Sequence, residues 1–168
     1  TTLCTLAVGV IATRASARMA DASGRLADRA LPAQRALLAL QSAYTTVQFY
    51  TARAILQAEH SDEFAVATTF EYRNRALNAA KEAAEAYSAL PRSKFEQEQW
   101  SSVEASTKVF AEQNSRIFAL VDKKDIKGAV ALLDEANLSA RTGLFGPLER
   151  IVESQGGWVD AAVAVAKN

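Results

Sequence analysis

The chain has 168 residues, 49% hydrophobic and 23% charged, which is enough for one domain with a buried core. Nineteen basic residues balance nineteen acidic ones, so the basic excess of a nucleic-acid binder is missing. Seven glycines and three prolines are too few for a loop-rich β protein, and abundant alanine with widely spaced turn signals marks an all-α composition.

Residues 3–12, Leu-Cys-Thr-Leu-Ala-Val-Gly-Val-Ile-Ala, are apolar, and Arg14 and Arg18 follow. A bilayer needs about 20 apolar residues. The run therefore reads as the trailing half of a transmembrane helix within residues 1–14. A signal-peptide core and a buried helix start are the alternatives. Helix one is predicted from about residue 3 or 15 to residue 58. From Leu26 its inward stripe alternates three and four: Leu26, Ala30, Ala33, Leu37, Leu40, Tyr44, Val47, Thr51, Ala54, Ala58. That is a coiled-coil seam. Pro32 removes a backbone donor inside it and predicts a bend or a joint.

The segment Glu59-His60-Ser61-Asp62 is the first turn, with Ser61 as the expected N-cap. Helix two carries Val66, Phe70, Arg73, Leu77, Ala80, Ala84 and Tyr87 on its stripe and stops at Leu90-Pro91. Ser93 with Glu96 forms a capping box that opens helix three. Its stripe reads Trp100, Val103, Thr107, Phe110, Asn114, Ile117, Val121. A third turn, Asp122-Lys123-Lys124-Asp125, is capped by Asp125. Helix four follows with Ala129, Leu133, Asn137, Ala140 or Arg141, Leu144, Leu148, Ile151, Gln155, Trp158 or Val159, and Ala162. Gly143, Gly146 and Pro147 predict a kink or an irregular turn in its middle, and Gly156-Gly157 a second soft point. Short turns force antiparallel neighbours. The expected fold is an up-down-up-down four-helix bundle, residues 1–168 forming one domain, with long first and fourth helices that leave from the same end.

Each stripe is apolar except near one level. Counted at 1.5 Å per residue from the helix ends, Tyr44, Thr51, Arg73, Asn114, Asn137 and Arg141 fall in one band, in the half farthest from the termini. A buried guanidinium needs partners, and no acidic residue lies on the four stripes in that band. A bound carboxylate would suit the arginine fork. Tyr50, Phe70, Tyr72 and Phe110 would wall the pocket, with Arg53, Tyr50 and Thr46 as second-rank contacts. Each residue also has a plainer reading: Arg73 and Arg75 snorkel to water, and Asn or Thr at a core position sets register alone.

Catalytic constellations are missing from the sequence, so no enzyme is expected. Cys4 and His60 are the only cysteine and histidine, and they cannot build a zinc, haem or Cys–His centre, so neither metal nor cofactor is expected. No Glu-x-x-His pair and no phosphate-binding glycine loop occurs. Glu96, Glu98 and Glu104 read as a solvated helix face.

The pattern resembles the four-helix-bundle sensory domain of bacterial methyl-accepting chemotaxis receptors. The likeness is carried by the apolar opening segment, by Leu31-Pro32 with Leu37-Leu38-Ala39-Leu40 after it, and by the Leu90-Pro91 corner. The charged turn 120–133, Leu-Val-Asp-Lys-Lys-Asp-Ile-Lys-Gly-Ala-Val-Ala-Leu-Leu, carries it most specifically, and Leu144-Phe145-Gly146-Pro147-Leu148 also fits. The resemblance implies a periplasmic domain held to the inner membrane by flanking transmembrane helices, a homodimer, and a small ligand (amino acids, organic acids or aromatic acids in the family) whose binding displaces helix four. With the arginines of the band, a small organic acid is the ligand expected here. Receptors of the aspartate type use several arginines on helix one. Here the corresponding stretch 43–53 offers Arg53 alone, which fits members whose pocket lies within one bundle. The alternatives are the input domain of a sensor histidine kinase and a partner-binding or dimerisation bundle without a small ligand.

Overall fold

The computed structural model describes the backbone of residue 24 and residues 26–167, and the side-chain surroundings of residues 24 and 28–157. The apolar opening segment with Cys4 lies outside the described residues. The stripe positions Leu26, Trp158, Val159 and Ala162 lie outside the described side chains. The fold is all-α, an antiparallel four-helix bundle. Helix one is a π turn (Leu26–Ala30) followed by α1 (Leu31–Glu59). Helix two is α2 (Glu63–Ser88) and helix three α3 (Lys94–Asp122). Helix four is α4 (Ile126–Ala140), a second π turn (Arg141–Phe145) and α5 (Gly146–Lys167).

The two turns at the end far from the termini use one design. Ser61 and Lys124 are left-handed, both with φ of 59°. Ser61 N–H bonds the Ala58 carbonyl and Asp62 N–H bonds that of Gln57, while Lys124 and Asp125 bond Val121 and Leu120 in the same way. This is a Schellman closure of one helix. The next residue then caps the following helix: Asp62 accepts from Ala65 N–H, and Asp125 from Gly128 N–H. Ser61 is therefore not the N-cap. A cap needs extended backbone, and Ser61 is spent on the left-handed step. At the opposite corner Ser93 and Glu96 form the expected capping box.

The seams of helices one and three are buried as predicted, from Ala33 through Ala54 and from Trp100 through Val121, with Thr107 half-buried. Helix two buries Arg73, Ala80 and Tyr87 as predicted, and Thr69, Ala76 and Ala83 beside them. The larger apolar cluster joins Leu37, Leu40, Val47, Tyr87, Trp100, Val103, Leu144, Leu148 and Ile151. A smaller one near the turns holds Ile55, Ile117, Val121, Ala129, Leu132 and Ala136.

The middle of helix four is irregular, as the glycines and proline predict. Gly146 N–H reaches back five residues to the Arg141 carbonyl, a π-type bond. Pro147 has no N–H to offer the Gly143 carbonyl and its ring would crowd that carbonyl in a regular helix, so the wider turn relieves it. Pro32 stands in the same relation to the π turn Leu26–Ala30, two residues past its end, which is the predicted joint. The second π turn also sets register. The positions Ala136, Ala140, Leu144 and Leu148 are all buried, spaced four apart throughout. At 100° per residue each such step overshoots a full turn by about 40°, so three overshoot by about 120°, roughly one residue. The π turn absorbs that residue. The buried face above it is therefore Leu132, Ala136 and Ala140. Ala129 is buried as predicted, and of the pair Ala140 or Arg141 it is Ala140 that faces inward, whereas Leu133 and Asn137 are one residue out, because counting a regular helix across the turn leaves out the inserted residue.

Candidate functional site

Three of the six principal candidates of the polar band are hydrogen-bonded between α1 and α3 inside the bundle. The Thr51 hydroxyl lies 2.7 Å from the Val47 carbonyl and 2.7 Å from Asn114 Oδ1, so α1 is tied to α3. Asn114 Nδ2 donates to the Phe110 carbonyl at 2.9 Å. Two turns along, the Tyr44 hydroxyl and Thr107 Oγ1 are 2.8 Å apart, and the Tyr44 ring meets Phe110 edge-on at 5.3 Å. Burial raises the Tyr44 hydroxyl pKa above its ordinary value, and the bond to Thr107 only partly offsets that. Tyr44 with Thr107, and Thr51 with Asn114, thus form two separate pairs across the core that fix the register of α1 against α3.

Arg73 is the exception. It is 6% exposed, and its Nε has no hydrogen-bond partner. Its Nη1 donates to Asn74 Oδ1 at 3.1 Å, and among the described residues no carboxylate lies within ion-pair distance. The guanidinium carbon stands 4.5 Å from the Phe118 ring centroid and 6.0 Å from that of Phe70. The two rings pack 3.9 Å apart across α2 and α3. Burial pulls the Arg73 pKa below its ordinary value. The aromatic pair compensates part of the desolvation by cation–π attraction.

Helix four does not reach this layer with the expected groups. Asn137 and Arg141 are exposed, a consequence of the one-residue offset at the π turn. Asn137 Oδ1 accepts from Gln48 Nε2 at 3.1 Å, an exposed bridge between α1 and α4. The second-rank residues also lie outside the buried layer. Thr46 is half-buried and donates to the Ser42 carbonyl at 2.8 Å. Tyr50 stacks on Tyr72 at 5.3 Å. Arg53 is exposed, and with the Gln57 amide turned to satisfy its neighbours, Arg53 Nε donates to Gln57 at 3.1 Å. A cleft of about 450 Å³ opens between the two far turns, lined by Val66, Phe70, Val121, Asp62, Asp122 and Lys124 among others. Phe70 is the residue common to this cleft and to the Arg73 surroundings.

A second polar level, at the end of the termini, was not legible as such. Glu96, expected on a solvated face, is 2% exposed. Its Oε2 accepts from Ser93 N–H at 2.6 Å and from Arg29 Nη2 at 3.1 Å, and its Oε1 accepts from Gln155 Nε2 at 3.0 Å. Burial pushes the Glu96 pKa up, but the bonds from Ser93 and Gln155 and the Arg29 charge outweigh it, so the net shift is downward. The capping box was the available signal. It turns Glu96 back toward the corner, and the carboxylate keeps a second oxygen to hold another helix. Among the described residues no cluster of His, Cys, Asp or Glu could hold a metal ion, and no helix is long and apolar enough to cross a membrane. No family model, curated protein or solved structure matches this chain.

Proposed function

We propose that this chain is the extracytoplasmic sensory domain of a transmembrane receptor of the chemotaxis type, facing the periplasm, and that it takes a small organic anion against Arg73. The observation that carries the reading is the buried guanidinium of Arg73, with an unpartnered Nε and, among the described residues, no carboxylate beside it. A buried cation without a counter-charge is costly. A ligand carboxylate supplies that charge in the geometry the guanidinium prefers. Phe70 and Phe118 give the ligand an apolar wall. The antiparallel topology supports the membrane arrangement, because helices one and four have their outer ends at the same end of the bundle. The homodimer has a surface available on the outer face of α1, where Leu38, Phe49 and Leu56 are exposed. Helix four is the output element, its displacement passing to regions beyond the bundle.

The test is Arg73→Leu. Replacing a buried, poorly compensated charge by an apolar side chain leaves the ligand-free fold as stable or more stable. Binding of small carboxylates should be lost while the helical circular dichroism is kept. Unchanged carboxylate affinity in this variant would remove Arg73 from the site. A second reading is favoured by Tyr44–Thr107 and Thr51–Asn114, which close on themselves. In that reading the polar layer sets register in a partner-binding bundle, and no carboxylate binds even the wild-type chain.

A further inference from the structure

About 14 residues along α2 from Arg73, or roughly 20 Å at 1.5 Å per residue, the bundle carries a different kind of polar site. Five buried side-chain atoms lack a hydrogen-bond partner among the described residues, and three of them belong to residues at this end of the bundle: Tyr87 Oη, Arg92 Nη1 and Gln155 Oε1. Tyr87 is 1% and Gln155 5% exposed. Gln155 is held to Glu96 by its nitrogen, which leaves its oxygen turned away from that bond. The Tyr87 ring packs 4.6 Å from Trp100, and the Arg92 guanidinium carbon lies 5.9 Å from both ring centroids. Tyr87 is close enough to feel the charges of Glu96, Arg92 and Arg29. Both Glu96 oxygens are already engaged, so the carboxylate is occupied by Ser93, Arg29 and Gln155.

The unmet groups define a chemistry. Arg92 Nη1 is a donor, the tyrosine hydroxyl donates or accepts, and the glutamine oxygen only accepts. Native interiors rarely leave three such groups unpaired at one level. Their complement is an oxygen that accepts hydrogen bonds and also carries a hydrogen to give. A carboxylate or a halide cannot donate, and an ammonium cannot accept. We propose that the Tyr87–Arg92–Gln155 level is a binding site for one hydroxyl oxygen, supplied by a bound water or by the hydroxyl group of a small solute. The occupant completes a joint in which Arg29 before α1, the α2–α3 corner and Gln155 of α5 meet on Glu96. It stands independently of the anion at Arg73.

Tyr87→Phe tests the sign of the hydroxyl's contribution. If the hydroxyl bonds an occupant, removing it lowers Tm by about 2–4 °C for a chain of this size. A hydroxyl with no partner is a burden, and its removal would leave Tm unchanged or raise it, which overturns the proposal. The source is assigned by comparing lactate with propionate at equal concentration. A larger Tm rise with lactate, lost in Tyr87→Phe, identifies a solute hydroxyl, and equal responses identify water. A crystal structure of the 168-residue chain should show density within hydrogen-bond distance of Tyr87 Oη and Gln155 Oε1. Flat density there would also overturn the site.

Discussion

Removing one residue from the π turn of helix four should leave the fold intact, provided Pro147 is relieved at the same time. Thr142 is exposed, and its hydroxyl hydrogen-bonds the Leu138 and Ser139 carbonyls of its own helix, each at 3.2 Å. Deleting it converts the wide turn to a regular one. Leu132, Ala136 and Ala140 above and Leu144, Leu148 and Ile151 below then keep their inward faces. Pro147 would now crowd the carbonyl four residues back, a penalty of about 3 kcal/mol. The Pro147→Ala change removes it, so the double variant is expected within about 1 kcal/mol of wild type. Deleting exposed Glu149 in the same Pro147→Ala background is the control. It rotates one side of α5 by about 100° against the other and takes either Leu144 and Leu148 or Ile151 and Gln155 off the core. At about 1.5–3 kcal/mol per apolar side chain, and about 1.5–3 kcal/mol for the Gln155 bond to the Glu96 carboxylate, either outcome costs about 3–6 kcal/mol. In Tm the control should fall by roughly 6–24 °C and the Thr142 deletion by no more than about 4 °C. Urea unfolding followed by circular dichroism measures both. Equal losses would refute the claim that the π turn holds one surplus residue.

Further outcomes follow from other parts of the bundle. Thr51→Val strips Asn114 Oδ1 of its donor in the core and should cost about 1–3 kcal/mol in urea unfolding, part of which Thr51→Val with Asn114→Leu should restore. Lys124→Gly frees a left-handed position from its Cβ and should stabilise by about 0.5–1 kcal/mol, since the exposed Lys124–Glu63 pair at 3.4 Å contributes little. Ser61→Gly should act alike, and a loss of stability in both would refute the account of the turns. The depressed Glu96 pKa predicts stability that is full above the ordinary carboxylate range and is lost as pH falls through the folded value. Glu96→Gln should flatten that acid limb in a pH series of thermal melts, and an unchanged limb would place the titration elsewhere.

Most of the fold was legible because helices one and three keep one uninterrupted seam each. Ala33 to Ala54 and Trp100 to Val121 could be read by counting three and four. The capping box at Ser93 and the cap at Asp125 were likewise local chemistry. Helix four was legible in its lower half and misread in its upper half. Gly143 and Pro147 announced an irregularity, but composition does not say whether a kinked turn gains a residue or merely bends. The signal lay in the run Ala136, Ala140, Leu144, Leu148, whose constant spacing of four drifts off any straight seam. Of the candidate residues, Tyr44, Thr51, Arg73 and Asn114 are buried as expected because they sit on regular stripes, whereas Asn137 and Arg141 turn outward with the offset. Glu96 was hidden because an acidic residue in a first helical turn normally faces water, and only the approach of α5 and Arg29 buries it. Arg92 lies in the corner, where periodicity says nothing.

The central claim is tested most directly by a thermal-shift screen of the wild-type chain against dicarboxylates, tricarboxylates, aromatic acids and amino acids. A ligand at 100 times its Kd adds about 2.7 kcal/mol to the folded state, a rise of roughly 5–11 °C for this size. The account predicts a rise confined to one class of acid and abolished by Arg73→Leu. A flat screen across all four classes, or a rise that survives Arg73→Leu, would contradict it.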